Sequence, residues 1–543
     1  MDKKLKNPAV WLPLVVAVAF IAGMWTMKGL HSGDRGSAAQ RKLATMLGII
    51  DQEYVDKVDT DSLLESSFAD LIAGLDPHST YIPASDLEAV NSELEGSFSG
   101  IGITFNMLND SINVLEVISG GPSEKVGLMP GDRIVTIDDS VASGRKWSNE
   151  RVITNLRGAE GTKVRLGVRR DTARDLLQFE VTRGQVPVTS IDASYMIDAQ
   201  TGYVKVNKFG RTTFDEFFTN LVKLRADGAK RFIIDLRGNT GGFMEMACLM
   251  ANEFLPGRQP IVSTLGRDMN ANSATWSDGN GTFGTEDVVL LIDEYSASSS
   301  EIVAGALQDH DRALVIGRRS FGKGLVQRQI DLDDGSALRL TISRYYTPSG
   351  RCIQKTYVHG DNDTYATELM ERYTSGEVFS ADSIKVDRAL IYTTDGGREV
   401  YGGGGIMPDI FVPSDTSAVT SYYLKVLNAG LLQKFCLRYA DSHRSTLKTA
   451  KSTSALLAML PSDDALLQEF VEYAAANGVP ARWYYINISR RLLVTDLKAL
   501  IARDILGSGA YYEVANRQDP TVQRALTELD AGSAKPPVKV SRH

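Results

Sequence analysis

The chain has 543 residues, 43% of them apolar and 23% charged, with a formal net charge of −8. That length sets an expectation of about three to four domains, with enough apolar residues for sizeable cores. The acidic balance, without a basic patch carrying interleaved aromatics, argues against a nucleic-acid partner. Cys248, Cys352 and Cys436 lie far apart with no histidine pairs beside them, so zinc-type spacing and a disulfide framework are both missing. In chain order, Lys3, Lys4 and Lys6 come first, ahead of an apolar run from Ala9 to Met27. A run of about 19 apolar residues just spans a bilayer. A positive flank stays in the cytoplasm, so the chain beyond the run is exported. A cleaved signal peptide is the competing reading. Without a small-x-small site ahead of the polar stretch 31–39, residues 1–37 are read as an uncleaved inner-membrane anchor and linker, with the rest of the chain in the periplasm. From 38 to 96 the apolar spacing is helical, at Leu43, Met46, Leu47 and Ile50 and then Leu63, Leu64, Phe68, Leu71 and Ile72. Asp76-Pro-His78-Ser, tempting for its histidine, is most simply a capped turn.

Residues 97–186 carry short strands between glycine turns. Phe98-Ser-Gly100-Ile101-Gly102-Ile103-Thr104 precedes an alternating strand, Ile112–Ile118. A block containing Pro130-Gly131-Asp132-Arg133-Ile134 comes next, and then the strand Lys163–Arg169. As half of a dinucleotide loop the glycines fail, because a third is missing and a strand comes after them. Together the blocks resemble a PDZ domain. The resemblance implies that the loop Gly100, Ile101, Gly102 and Ile103 offers backbone N–H groups to a peptide's terminal carboxylate, and that the peptide joins the sheet as an added strand.

Residues 187–413 alternate apolar strands with helices. Lys230–Asp235 is a buried-type strand that runs into Leu236-Arg237-Gly238-Asn239-Thr240-Gly241-Gly242. Consecutive glycines there let backbone N–H groups approach a carbonyl. A second apolar strand ends at Ile292, and a helix with Ile302, Val303, Ala306 and Leu307 on one stripe begins after a small-residue turn. Ser298 therefore sits where a hydroxyl is presented and a helix N-terminus stabilises developing negative charge. A third strand leads to Phe321-Gly322-Lys323-Gly324, with Gln327 beyond it. Ser298 and Lys323 are a candidate nucleophile and base. A free lysine, with a pKa of about 10.4, is protonated at neutral pH. Burial against Ile316, Phe321, Leu325 and Val326 would bring it toward the value of about 7 to 8 that catalytic lysines reach. No histidine competes, since His310, the nearest to Ser298, reads as a surface residue at a helix end.

The stretch from Ser296 to Gln327 resembles the active-site block of the C-terminal processing peptidases, also called tail-specific proteases. Their serine lies in Ser-Ala-Ser-x-Ser-Glu and their lysine in Phe-Gly-Lys-Gly, with Gln four positions on. Asp235–Gly242 is similar to the family's Asp-Leu-Arg-x-Asn-x-Gly-Gly. Gly202–Phe209 resembles its opening strand, and Tyr346–Gln354 with Gly402–Ile410 its closing segment. One departure is Ser320, where the family often has threonine; the hydroxyl is kept. The resemblance implies Ser298 as nucleophile, Lys323 as general base, Gln327 as the residue that orients it, and Asp309 as a supporting acid. It implies an oxyanion hole from the N–H of Gly241 or Gly242 together with that of Ser299. No metal or cofactor is implied, and the substrates are envelope proteins and peptides with free C-termini.

Residues 359–387 form a charged and polar insertion, read as a surface elaboration. From 414 to 543 the chain reads as helices, with Leu424, Leu427, Leu431, Leu432 and Phe435 on one stripe and Leu466, Leu467, Phe470 and Val471 on another. Such helices pack on their own domain or build a homodimer. The tail from Ser533 is read as mobile. The expected fold class is α+β and multidomain: anchor and helical region, PDZ domain at 97–186, a crotonase-like curved-sheet protease core at 187–413, and a C-terminal helical region. Two rivals stand against a serine–lysine endopeptidase. Ser320-Phe-Gly-Lys323 spells the Ser-x-x-Lys of penicillin-recognising enzymes, but the flanking glycines and the missing companion motifs oppose it. The other is a non-catalytic periplasmic PDZ scaffold, against which the intact serine, lysine, glutamine and double glycine speak.

Overall fold

The computed structural model describes residues 37–108, 110–118, 120–170 and 173–534. The apolar run 9–27 and most of the tail therefore lie outside the described residues. Among those described, no helix is long and apolar enough to cross a membrane. The chain divides into two units, one ending at Ile72 and one beginning at Ala73. The first contains α1 (Ala38–Glu53) and most of α2 (Thr60–Ala73). Ser37 starts α1 with a reciprocal cap: its Oγ accepts from the Gln40 N–H, and its own N–H donates to Gln40 Oε1.

The second unit opens with the Asp76 turn, β1 (Thr80–Ile82) and α3 (Ala84–Glu95). The Asp76 carboxylate accepts from the N–H groups of His78 and Ser79 at 2.9 Å each, which closes the capped turn. The next region comprises β2 (Ser97–Gly100), β3 (Ile103–Leu108), β4 (Ser111–Val117), α4 (Pro122–Val126), β5 (Arg133–Ile137), β6 (Ser140–Val141), α5 (Asn149–Leu156), β7 (Lys163–Arg169), β8 (Leu177–Thr182) and β9 (Gly184–Pro187). Strands β3, β4, β5, β7 and β8 are successive antiparallel neighbours, and β2 pairs with β9. Ile112, Val114, Ile134, Val164, Leu166 and Val168 point inward from this sheet against Val152 and Leu156 of α5, giving the region its own core.

The central part runs through β10 (Ile191–Met196), β11 (Thr201–Val206), α6 (Thr213–Ala226), β12 (Arg231–Asp235), α7 (Met244–Asn252), β13 (Pro260–Gly266), β14 (Ser273–Trp276), β15 (Asp287–Ile292), α8 (Ser299–Asp309), β16 (Leu314–Gly317), β17 (Leu325–Asp331), β18 (Ala337–Tyr346), α9 (Asn362–Thr374), β19 (Ile391–Thr393), β20 (Glu399–Tyr401) and β21 (Ile410–Phe411). One sheet has the order β10-β11-β12-β15-β16-β21, parallel except at β10. A second is built from β1, β18, β13 and β14, with β17 paired to β18.

The central residues of the parallel strands β12, β15 and β16 are continuously apolar because both faces are covered. Phe232, Ile234, Val288, Leu290 and Ile292 face the core made with α6, α7 and α8. Their sequence neighbours Ile233, Val289 and Leu291 face the opposite way, with Tyr203, onto Val522, Ala525 and Leu529. Those last three belong to the end of the helical run α10 (Ser421–Asn428), α11 (Leu431–Leu447), α12 (Thr453–Met459), α13 (Asp463–Ala476), α14 (Trp483–Leu506), α15 (Ser508–Ala515) and α16 (Pro520–Asp530). Helices α10 to α15 form a separate core around Phe435, Phe470, Leu493 and Leu497. The helical stretch is thus not one body: α16 leaves it to roof the central sheet, and Arg237 bridges Asp235 on β12 to Asp519 at the start of α16. The fold is α+β and multidomain.

Candidate active site

Ser298 stands at the junction of β15 and α8 with φ +55° and ψ −113°. A non-glycine residue held there costs about 1–3 kcal/mol and needs surroundings that over-determine it. They do. The Ala297 N–H and the Ser300 hydroxyl both donate to the Asn239 carbonyl, at 3.0 and 2.9 Å. Ser299 Oγ donates to the Gly242 carbonyl at 2.9 Å. The glycine turn is thereby clamped beside the serine. A Cβ on Gly241 would lie 2.7 Å from Ser298 Cβ and 3.0 Å from the Ala297 carbonyl oxygen, so only glycine lets the two segments close.

Glu301, one turn into α8, is a site residue that sequence reasoning misses. It is fully buried and accepts four hydrogen bonds: from the Ser298 N–H at 2.8 Å, the Ser320 hydroxyl at 2.5 Å, the Gly322 N–H at 2.7 Å and the Lys323 N–H at 2.9 Å. One carboxylate joins the serine loop to the lysine loop. Burial pushes its pKa up to about 7, against donors that favour the ionised form. The sequence signals for it are its place at the end of the Ser-Ala-Ser-x-Ser-Glu run and the Ser-x-x-Glu spacing of a capping box from Ser298.

Ser298 and Lys323 line one cavity of about 380 Å³, together with Thr240, Gly242, Phe243, Met244, Ile302, Leu325, Gln327, Arg339 and Tyr345. Among the described residues no hydrogen bond joins Ser298 Oγ to Lys323 Nζ; catalytic pairs often tighten only on substrate binding. Tyr345 Oη holds the two backbones in register, donating to the carbonyls of Lys323 at 2.7 Å and Ser298 at 3.1 Å. Burial first, and the charge of Arg339 second, hold the Lys323 ammonium below the usual lysine range, against Glu301 and Asp76. His78 is driven down to about 4 by burial and then by Lys323, so it is neutral here. Its Nε2 lies 2.8 Å from Tyr365 Oη.

Other sequence assignments fall differently. The Gln327 amide does not reach Lys323. It donates to Thr341 Oγ1 at 3.2 Å, and Thr341 donates to Asp76 at 3.0 Å, because the side chains of paired β17 and β18 meet across the hairpin before the lysine can be reached. The Gly241 N–H is taken by Asn239 Oδ1 at 2.9 Å, which corrects its candidacy as an oxyanion donor. The N–H groups of Gly242 and Ser299 donate to no acceptor among the described residues. Asp309 lies at the other end of α8, about 16 Å from Ser298 at ~1.5 Å per residue. It pairs there with fully buried Arg351 at 2.7 Å and accepts from the Ser349 N–H, fixing the segment after β18. His310 is not a surface residue. Its side chain is 4% exposed, with Nδ1 at 2.7 Å from Asp395 and Nε2 at 2.7 Å from the Pro260 carbonyl.

The insertion is exposed over much of its length, as expected of a surface elaboration, but it is also anchored inward. Helix α9 packs behind the lysine loop, where buried Arg372 donates to the carbonyls of Ser320 at 2.8 Å and Phe321 at 3.0 Å. Glu368, on the same helix, binds Arg372 and Lys355.

In the PDZ-like region a second cavity, of about 390 Å³, lies between β3 and α5. Ile101, Gly102, Ile103 and Phe105 form one wall and Ile153 and Leu156 the other, while Gly100 ends β2 just before it. Among the described residues no group of three or more His, Cys, Asp or Glu side chains could hold a metal ion, and the three cysteines are free thiols.

A strained serine beside a half-buried lysine and two unoccupied backbone donors has the makings of acyl-transfer chemistry. The family model for peptidase family S41 matches residues 200–364, the PDZ domain model matches 99–182, and a family of unknown function matches 422–507. The chain is 35% identical over 335 residues to the carboxy-terminal-processing protease of Bartonella bacilliformis, covering 61% of this chain and 76% of that one. It is 31% identical over 349 residues to the probable CtpA-like serine protease of Staphylococcus aureus, covering 64% and 68%. Among solved structures, the photosystem II D1 C-terminal processing protease matches 60% of this chain and 93% of its own at 27% identity, with a TM-score of 0.33. The chain is a serine-type protease carrying a PDZ domain. It belongs to the carboxy-terminal-processing protease family.

Proposed function

We propose that the protein is an endopeptidase in which Ser298 and Lys323 form the catalytic dyad. The observation that carries this is their convergence on one cavity, the serine in a strained elbow and the lysine half-buried, with Glu301 binding the backbones of both. Neutral Lys323 takes the Ser298 hydroxyl proton as Oγ attacks the scissile carbonyl. The oxyanion accepts from the Gly242 and Ser299 N–H groups. Collapse breaks the C–N bond, the leaving amine takes the proton back, and water then hydrolyses the acyl-enzyme by the same route.

The PDZ groove captures the substrate's C-terminal tail, its carboxylate on the loop from Gly100 to Ile103 and its last apolar side chain between Ile103 and Ile153. Support comes from the Ile101 and Gly102 N–H groups, which are unclaimed among the described residues, and from the apolar walls. Envelope proteins as substrates, anchoring through 9–27 and a homodimer through the helical regions complete the proposal, resting on the sequence alone.

Gel-based proteolysis of an unfolded protein with a free C-terminus tests the dyad. Cleavage by the parent, lost in both Ser298→Ala and Lys323→Ala, supports it. Substrate bound but uncut by every form overturns it and leaves a peptide-binding scaffold.

A further inference from the structure

The cleft holds a positive charge that the dyad does not consume. The floor of the cavity is the β17/β18 hairpin, in which Gln327 lies opposite Thr341 and Gln329 opposite Arg339. Tyr345, near the end of β18, sits under Ser298 and Lys323. Arg339 sits six residues back along the same strand, about 20 Å in Cα position at ~3.3 Å per residue, with its side chain still lining the same cavity. The arginine is half-buried, and one of its nitrogens donates to Gln329 Oε1 at 3.1 Å. Among the described residues it forms no ion pair.

Arg328 and Arg344 on the same hairpin also lack an ion pair among the described residues, but they are exposed and outside the cavity lining, whereas several sheltered arginines of the core are paired. Arg237 is paired with Asp235 and Asp519, Arg319 with Glu377, Arg351 with Asp309, and Arg372 with Glu368. Glu95, the one acidic side chain lining the cavity among the described residues, and Asp76 and Glu301, which act on Lys323, are already engaged. Glu95 is gripped by Arg211 through two bonds of 2.6 Å. Asp76 accepts from His78, Ser79 and Thr341, and Glu301 holds the two loops. The one hydrogen bond of the Arg339 guanidinium among the described residues goes to Gln329, so most of its five N–H donors have no protein acceptor there. A guanidinium is the side chain best shaped to take a carboxylate in two parallel bonds.

We propose that Arg339 is an anion subsite of the catalytic cleft, engaging a carboxylate of the bound polypeptide a few residues from the scissile bond. The carboxylate is either an Asp or Glu side chain or the free end of a short tail. This rests on the peptidase reading and adds to it a substrate preference set in the protease core, separate from the PDZ groove.

The test uses the full chain and three peptide sets. In the first, C-terminally amidated, Asp is scanned through the positions flanking the cut; the second carries Asn at the same positions. The third ends in a free or amidated terminus at increasing distances past the cut. KM is read for the parent, Arg339→Gln and Arg339→Lys, and fluorescence anisotropy reads binding to Ser298→Ala with and without Arg339→Gln. We expect one position where the carboxylate lowers KM about tenfold, the scale of a charge-assisted bond in a partly buried site. That ratio falls to about one in Arg339→Gln and recovers in part in Arg339→Lys. A preference found in the first set names a side chain, and one found in the third names the terminus. No carboxylate preference in the parent, or one that survives Arg339→Gln, overturns the subsite. If the parent cuts nothing while Ser298→Ala binds with the Arg339-dependent preference, the peptidase reading falls and the subsite stands.

Discussion

The insertion helix makes the sharpest prediction, because nothing in its composition connects it to catalysis. Arg372 is 2% exposed and hands its fork to the Ser320 and Phe321 carbonyls, the two residues before Gly322-Lys323. Arg372→Ala removes both bonds and leaves two buried carbonyls without those donors. Glu368 retains Lys355 at 2.9 Å, so the charge cluster is not emptied. A hydrogen bond to a charged group is worth about 1.5–3 kcal/mol net, so the pair gives the lysine loop roughly 3–6 kcal/mol of support. Glu301 still holds the Gly322 and Lys323 N–H groups from the front, so the loop loosens without detaching. If about half of the lost support is felt as misplacement of Lys323, the cost is ~1.5–3 kcal/mol, and kcat falls roughly 10- to 100-fold. KM should change far less, because Arg372 does not line the cleft. Steady-state kinetics on a peptide, with hydrogen exchange of the amides from 320 to 325, measures both consequences. Arg372→Lys, which keeps the charge without the fork, should fall between. Parent-like kcat and unchanged exchange in Arg372→Ala would show that the loop is held without α9. Unchanged exchange in the PDZ region is the control for folding.

Gly241→Ala places a methyl group 2.7 Å from Ser298 Cβ at a φ of +105°, so the glycine turn must retreat from the nucleophile. The expected loss is about 10²–10³ in kcat, the size of one missing oxyanion donor; activity within a few fold of the parent would refute the close-approach argument. The pH profile is set by Lys323. Its ammonium is destabilised, and only the neutral amine accepts the serine proton, so kcat/KM should rise with pH along a limb centred below the usual lysine value of about 10.4. Arg339→Gln removes a like charge, which makes the ammonium easier to keep and moves that limb to higher pH; a limb that stays or moves down contradicts it. In the groove, Ile153→Asp should raise KM for tail-bearing proteins by about 10–100-fold, the worth of one buried aliphatic side chain, while sparing amidated peptides too short to reach it. Equal losses on both substrates would separate the groove from capture.

The family and fold class are legible because they are written in contiguous runs. The strand of 231–235 leading into Gly241-Gly242, the turn around Ser298 and the glycine-flanked Lys323 each announce a local geometry. Continuous apolar strands announce a sheet buried on both faces. Contact between distant segments is what stays hidden. Counting four residues puts Gln327 on the lysine, yet it lies on a strand paired with β18, and pairing gives its amide to Thr341. His310 looks exposed as a helix-end residue until the turn carrying Asp395 folds over it. The polar insertion looks like decoration because a buried ion cluster and a solvated surface have the same composition. Burial separates them, and Arg372 and Lys355 are both buried.

Three residues act on Lys323, two by holding its loop and one by its charge. From the front, Glu301 fixes the backbone relative to Ser298, so it sets position while its charge opposes deprotonation. From behind, Arg372 fixes the preceding residues through their carbonyls and does not enter the cleft. Along the floor, Arg339 makes the ammonium costly without touching it. Glu301 thus bears on both position and protonation, whereas Arg372 bears on position alone and Arg339 on protonation alone. Arg372→Ala should lower kcat at every pH with the profile unmoved, whereas Arg339→Gln should move the profile while leaving the high-pH plateau closer to that of the parent. A variant set in which both substitutions shift the limb equally would show that position and protonation are not separable in this site.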